Sequence, residues 1–133
     1  MPSGNYPPFL ILGKVAVTTA GTPVGLLDAF TLNGASLKAA GGGPAKYRCA
    51  SILFVVSNLV TVNTGFIYVG VKGMNKSTGA GVIFMIPAAG TGVTNYFTLP
   101  SQGWGGGNEL TPEDIYIDAD TNGNSALVTC IQY

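Results

Sequence analysis

The sequence predicts an all-β protein, a single antiparallel β-sandwich of jelly-roll type preceded by an extended N-terminal arm. Three observations predict it. Short runs rich in Val, Ile, Phe, Tyr and Thr recur from Lys14 onward, each bounded by Gly, Asn, Pro or Ser. Helix signals are thin, while 20 glycines supply the backbone freedom that tight turns between strands require. The chain of 133 residues is long enough for one core and too short for two comfortable ones.

Residues 1–12 read as the arm, because Pro7-Pro8 forbids helix and holds an extended path ahead of Phe9-Leu10-Ile11-Leu12. An arm that reaches a neighbour and an apolar tetrad that forms an edge strand fit these residues equally well. Residues 13–133 form the sandwich domain. Its strands are expected at Lys14–Thr19, Tyr47–Ser57, Leu59–Val62, Phe66–Val71, Val82–Ile86, Asn95–Leu99, Ile115–Ala119 and Ala126–Gln132. Ile52-Leu53-Phe54-Val55-Val56 is apolar on both parities, the pattern of a strand buried on both faces. Val24–Phe30, closed by Asn33-Gly34, fits a short helix or an irregular excursion. Gly41-Gly42-Gly43-Pro44 and Gly103-Trp104-Gly105-Gly106-Gly107 read as loops.

Composition narrows the function. Hydrophobic residues make up 47% of the chain and charged residues only 9%, against roughly a quarter in an ordinary soluble domain. Six basic and six acidic residues cancel, so no net charge draws the chain to nucleic acid or to anionic lipid. No stretch reaches membrane-spanning length. The first residues, 1–8, lack the basic start and apolar run of a secretory signal. With so little like-charge repulsion, association with other subunits is the expected way to hide a neutral exterior.

Chemistry is hard to build from this inventory. There is no histidine, which removes Ser-His-Asp and Cys-His catalysis and most zinc sites. Acids are limited to Asp28, Glu109, Glu113, Asp114, Asp118 and Asp120. The expectation is therefore no enzyme and no cofactor. Gly70-Val71-Lys72-Gly73-Met74-Asn75-Lys76-Ser77 approaches a phosphate-binding loop, but Asn75 replaces the second glycine and a strand follows instead of a helix. A hairpin is expected there. Asp118, Asp120 and Asn122, followed by Gly123, resemble the first half of a calcium loop. The bidentate acid is missing, since Thr129 stands at its position, so a turn between two strands is the favoured reading. Cys49 and Cys130 lie in apolar strand-like runs without CxxC spacing and read as buried thiols, with a bridge open if their strands are neighbours. Trp104, in a glycine-rich loop, and Tyr96-Phe97 just before it read as interface anchors or as a lid on the core; the same aromatics would suit a glycan platform.

Three stretches together resemble β-sandwich accessory proteins of tailed-bacteriophage virions. They are Asn63-Thr64-Gly65-Phe66-Ile67-Tyr68-Val69-Gly70, Leu110 through Asp114-Ile115-Tyr116-Ile117-Asp118-Ala119, and Gly123 to Ile131, about the C-terminal half of the chain. The resemblance implies a capsid decoration or cement subunit located in the virion after synthesis in the host cytoplasm. Its partners would be copies of itself, with a trimer favoured, and the major capsid protein or other virion proteins. An arm of the kind such subunits use corresponds to Pro7, Pro8, Phe9 and Leu10, although no motif of the group covers them. The glycine-rich segment Val24–Lys46 has no counterpart in the pattern. A receptor- or glycan-binding module of a head fibre or tail is the alternative.

Overall fold

The computed structural model describes residues 9–26, 31–32, 35–36, 49–57, 62–88, 94–100 and 114–132. They form strands and turns, and no α-helix occurs among them. The strands are β1 (Phe9–Ala16), β2 (Val24–Gly25), β3 (Thr31–Leu32), β4 (Ala35–Ser36), β5 (Cys49–Ser57), β6 (Phe66–Asn75), β7 (Ala80–Pro87), β8 (Thr94–Pro100), β9 (Ile115–Ala119) and β10 (Ser125–Gln132).

Two antiparallel four-stranded sheets carry the fold. The first has the order β1-β10-β5-β8 and the second β2-β9-β6-β7, while β3 and β4 form a small separate hairpin. The chain passes from one large sheet to the other between β1 and β2, β5 and β6, β7 and β8, β8 and β9, and β9 and β10. Within the two large sheets, only β6 and β7 follow each other among the described strands. Such crossing buries one face of each sheet against the other, and the inward positions of the central strands, Ile52, Phe54 and Val56 of β5 and Ile115, Ile117 and Ala119 of β9, are apolar as a result. Val15, Ile52, Phe54, Leu99, Val128 and Cys130 from the first sheet meet Leu26, Ile67, Val69, Ile86, Ile115 and Ile117 from the second in one buried cluster.

The structure redraws several expected elements. The apolar tetrad at the end of the expected arm takes the edge-strand alternative: Phe9, Leu10 and Ile11 pair with Ile131, Cys130 and Thr129 inside β1. The domain boundary expected at residue 12 thus falls within a strand, and residues 1–8, including Pro7 and Pro8, lie outside the described residues. In the Val24–Phe30 segment, whose sequence fits a short helix or an irregular excursion, Val24 and Gly25 form the strand β2 and pair with Ile117 and Tyr116. Val62 lies outside any strand, and the rest of the expected Leu59–Val62 strand falls outside the described residues. β5 is central in its sheet, yet only Ile52, Phe54 and Val56 are fully buried; Leu53 and Val55, on the outward parity, are half-buried.

The Gly70–Gly81 segment is the hairpin the sequence suggested. Its tip is an Asx turn, in which Asn75 Oδ1 accepts the N–H groups of Ser77 at 2.9 Å and Thr78 at 3.2 Å. Glycine is required at position 70 by close approach, because a Cβ there would collide with the carbonyl oxygen of Gly81 and sit 2.5 Å from Met74 Sδ.

Candidate interaction surface

Polar side chains converge at one end of the sandwich, around the β9–β10 turn. Asp118 belongs to the outward parity of β9, opposite Tyr68, and is nevertheless buried. Its Oδ1 accepts the N–H of Gly21 at 2.8 Å and that of Ala119 at 2.7 Å. Asn122 Oδ1 accepts the N–H of Ala20 at 2.7 Å. Asn124 grips Thr64 from both sides, donating to its carbonyl at 2.7 Å and accepting its N–H at 3.2 Å. Asn63 accepts the N–H of Ser125 at 2.8 Å and donates to the carbonyl of Ser57 at 3.1 Å. One turn therefore ties two loops, around residues 20 and 64, to the sandwich with side-chain amides and a carboxylate.

Asp120 completes this end. Its Oδ2 accepts the N–H of Phe66 at 2.9 Å, while Oδ1 accepts the Tyr68 hydroxyl at 2.8 Å and faces Lys76 Nζ at 3.4 Å. The Lys76 ammonium also lies 5.8 Å from the centre of the Tyr68 ring. Burial by itself would raise the Asp120 pKa, but the hydrogen bonds from Tyr68, Phe66 and Lys76 together with the Lys76 charge hold it below its usual value. Burial, followed by the hydrogen bond and charge of Asp120 and the charge of Asp118, pushes the Tyr68 phenol up to about 12.

The calcium candidate oxygens are thus engaged with protein donors. Asp118 and Asn122 bond to neighbouring N–H groups of one loop, whereas Asp120 turns to β6 and the β6–β7 hairpin. Among the described residues no group of three or more acidic or cysteine side chains is arranged to hold a metal ion. Of the two cysteines, Cys130 is fully buried opposite Ile52, and Cys49 pairs in register with Gln132.

The exposed apolar surface lies elsewhere, along β7 and β8. These are the terminal strands of the two sheets, and both end on the same flank of the sandwich. Phe84 and Phe97 face each other across this flank with ring centroids 3.9 Å apart and planes 5° from parallel. Phe97 also packs on the core and stacks with Phe54 at 6.4 Å. Asn95 Nδ2 donates to the carbonyl of Pro87 at 2.8 Å, a second tie between the strands. Outside this closure Ile83 remains 38%, Phe84 40% and Met85 45% exposed. The outward row of the first sheet is also apolar at its centre: Leu127 lies opposite Val55, and Val55 opposite Tyr96. Tyr96 is 70% exposed.

The expected interface residues therefore separate. Tyr96 points outward, Phe97 is a half-buried lid on the core, and Phe9 and Leu10 belong to β1. Trp104 lies outside the described residues. Ile83, Phe84 and Met85 were not singled out from the sequence as surface residues. Their signal was the unbroken apolar run from Val82 to Ile86, which carries the same pattern as the central strand β5. Comparison with protein-family models, with curated proteins and with solved structures gave no match.

Proposed function

We propose that this protein is a non-enzymatic structural subunit that packs into a larger assembly, a decoration or cement subunit of a tailed-phage capsid. The observation that carries the reading is the apolar row on the outward face of the first sheet, which only Lys14 at its β1 end interrupts, together with the apolar edge of β7. An antiparallel sheet that faces water normally alternates apolar with polar residues, yet here Val55, Leu127 and Tyr96 form an outward row and Ile83, Phe84 and Met85 line an edge. The strand order β1-β10-β5-β8 against β2-β9-β6-β7 supports reading the sandwich as a jelly roll, an architecture widely used in shells. The hydrogen-bonded end around Asp118, Asn122 and Asn124 supplies rigidity suited to a part that must keep its shape.

The mechanism is thermodynamic. At about 25 cal/mol per Å² of apolar surface removed from water, an interface of ordinary size contributes several kcal/mol to a shell after the costs of association. Native mass measurement followed by mixing with emptied capsids tests the reading. The expected result is an oligomer, the trimer being the form implied by the resemblance, that coats the particles and raises the temperature at which they open. A chain that stays a single copy at high concentration and ignores particles would overturn it. The exposure of Tyr96 favours a second reading, a glycan-binding module. Sugar binding lost in Tyr96→Ala, with no capsid binding, would select that reading.

A further inference from the structure

We propose that two copies of this chain meet edge to edge across a two-fold axis at Met85, β7 against β7. The inference rests on the assembly reading and names a contact between neighbouring oligomers, since a three-fold ring has no two-fold contact among its own subunits.

Backbone geometry fixes the centre of the contact. Ala88 donates its N–H to the carbonyl of Gly65 at 2.7 Å, and the register continues as Ile86 opposite Ile67, Met85 opposite Tyr68 and Phe84 opposite Val69. Antiparallel pairs alternate between hydrogen-bonded and non-hydrogen-bonded. Ile86 and Phe84 therefore turn their N–H and C=O groups toward β6, and Met85 turns its own toward the open side of β7. The same alternation turns the Pro87 carbonyl outward, where Asn95 takes it up. Pro87 has no N–H, and on the other side of Met85 the ladder is broken by a bulge between Phe84 and Val82. Among the described residues the edge is thus open at one place and stopped on both sides. Such an edge suits a closed pair better than an endless run of strands, because proline and bulges block continued pairing.

Charge selects the occupant. From Ala80 to Ala88 and from Thr94 to Pro100 the flank contains no Lys, Arg, Asp or Glu. A partner whose interface carries charges would have to leave them desolvated against Ile83, Phe84 and Met85. A second copy presents the same uncharged strip, and the net charge of zero adds no repulsion between copies. A two-fold axis makes the patch its own complement. Residue 85 of each copy would exchange N–H and C=O with residue 85 of the other, with the side chains of Ile83 and Met85 covering the junction.

With large side chains offering roughly 150–250 Å² each, the partly exposed residues supply on the order of 300 Å² per copy. A stable standard interface uses about 800 Å² per partner. The pair is therefore expected to form at high concentration, as on the surface of a particle, and to dissociate on dilution.

Sedimentation equilibrium over a wide concentration range, with Met85→Lys and Val62→Lys, tests the proposal. Val62 is also exposed and belongs to neither β7 nor β8. Wild type and Val62→Lys should show the same association, and Met85→Lys should weaken it roughly tenfold or more, since it places an ammonium at the junction. Met85→Cys should form a disulfide-linked dimer under mild oxidation well above the wild-type background. Circular dichroism and thermal melting check that the variants are folded. Association unaffected by Met85→Lys, a wild type that never associates, or Met85→Cys no more cross-linked than wild type would each overturn the proposal. The two readings fail separately: capsid coating that survives intact in a folded Met85→Lys with unchanged association sinks this contact alone. A Met85-dependent dimer that ignores capsids sinks the virion reading alone.

Discussion

The rings of Phe84 and Phe97 lie parallel at a centroid separation of 3.9 Å, each contributed by the terminal strand of a different sheet. The stack closes the flank on which β7 and β8 end and shields the core residue Phe54 behind it. It joins the two sheets side chain to side chain, where no backbone ladder does.

Replacing either ring by alanine is expected to cost about 2–4 kcal/mol, less than a fully buried phenylalanine because Phe84 is partly exposed. The double variant should cost less than the sum of the two, by about 0.5–1.5 kcal/mol, the coupling typical of an aromatic pair. Urea denaturation of the four proteins measures it. Strict additivity would mean that the two rings act independently.

The Tyr68–Asp120 pair makes stability depend on pH at both extremes. The folded pKa of Asp120 is depressed, so its contribution is fully present above the unfolded value of about 3.8 and is lost as pH falls through the lower folded value. The Tyr68 phenol is raised to about 12, so its contribution is present below the unfolded value of 10.0 and is lost as pH rises between the two. Asp120→Asn should flatten the acid limb and shift the tyrosine transition downward. Denaturation at pH 2 to 7 reads the first effect, and ultraviolet titration of the phenolate reads the second.

Gly70→Ala should destabilise the β6–β7 hairpin. The Met74 side chain can move aside, but the carbonyl of Gly81 belongs to the opposing strand and yields only if the strands separate. The expected cost is about 1–3 kcal/mol or more. Thermal melting measures it, and Gly73→Ala, with open space at its Cβ but a φ of 81°, separates backbone strain from collision.

Two N-terminal truncations divide the expected arm from the fold. Removing residues 1–8 should leave the melting temperature close to that of the full chain, while capsid coating falls if the arm reaches the shell. Removing residues 1–12 also takes away the pairing of Phe9, Leu10 and Ile11 with β10. That deletion should lower stability by several kcal/mol, since it strips backbone hydrogen bonds from β10. Equal melting temperatures for the two truncations would show that the first residues of β1, Phe9 to Leu12, contribute nothing.

Much of the architecture was legible because strand chemistry is local. Ile115, Ile117 and Ala119 alternate with Tyr116 and Asp118, and the alternation marks the inward face without reference to any neighbour. The β9–β10 turn was readable from Thr121-Asn122-Gly123-Asn124 for the same reason. The β2 strand was not, because a strand of two residues has too little pattern of its own and exists through its pairing with Tyr116 and Ile117.

Composition and short-range pattern suffice to make this chain all-β and poor in charge, without histidine and with a turn at residues 121–124. Which apolar runs are buried follows from the packing of the strands. Ile52–Val56 and Val82–Ile86 look alike as sequence, yet β5 lies between β10 and β8 while β7 ends its sheet. Burial depends on what lies beside a strand, and strand order is fixed by contacts between residues far apart in the chain. For the same reason, the partners of Asp118 and Asp120, two acids of a calcium-like pattern whose favoured reading was a turn, became the N–H of Gly21 and the hydroxyl of Tyr68 only once distant segments were brought to them.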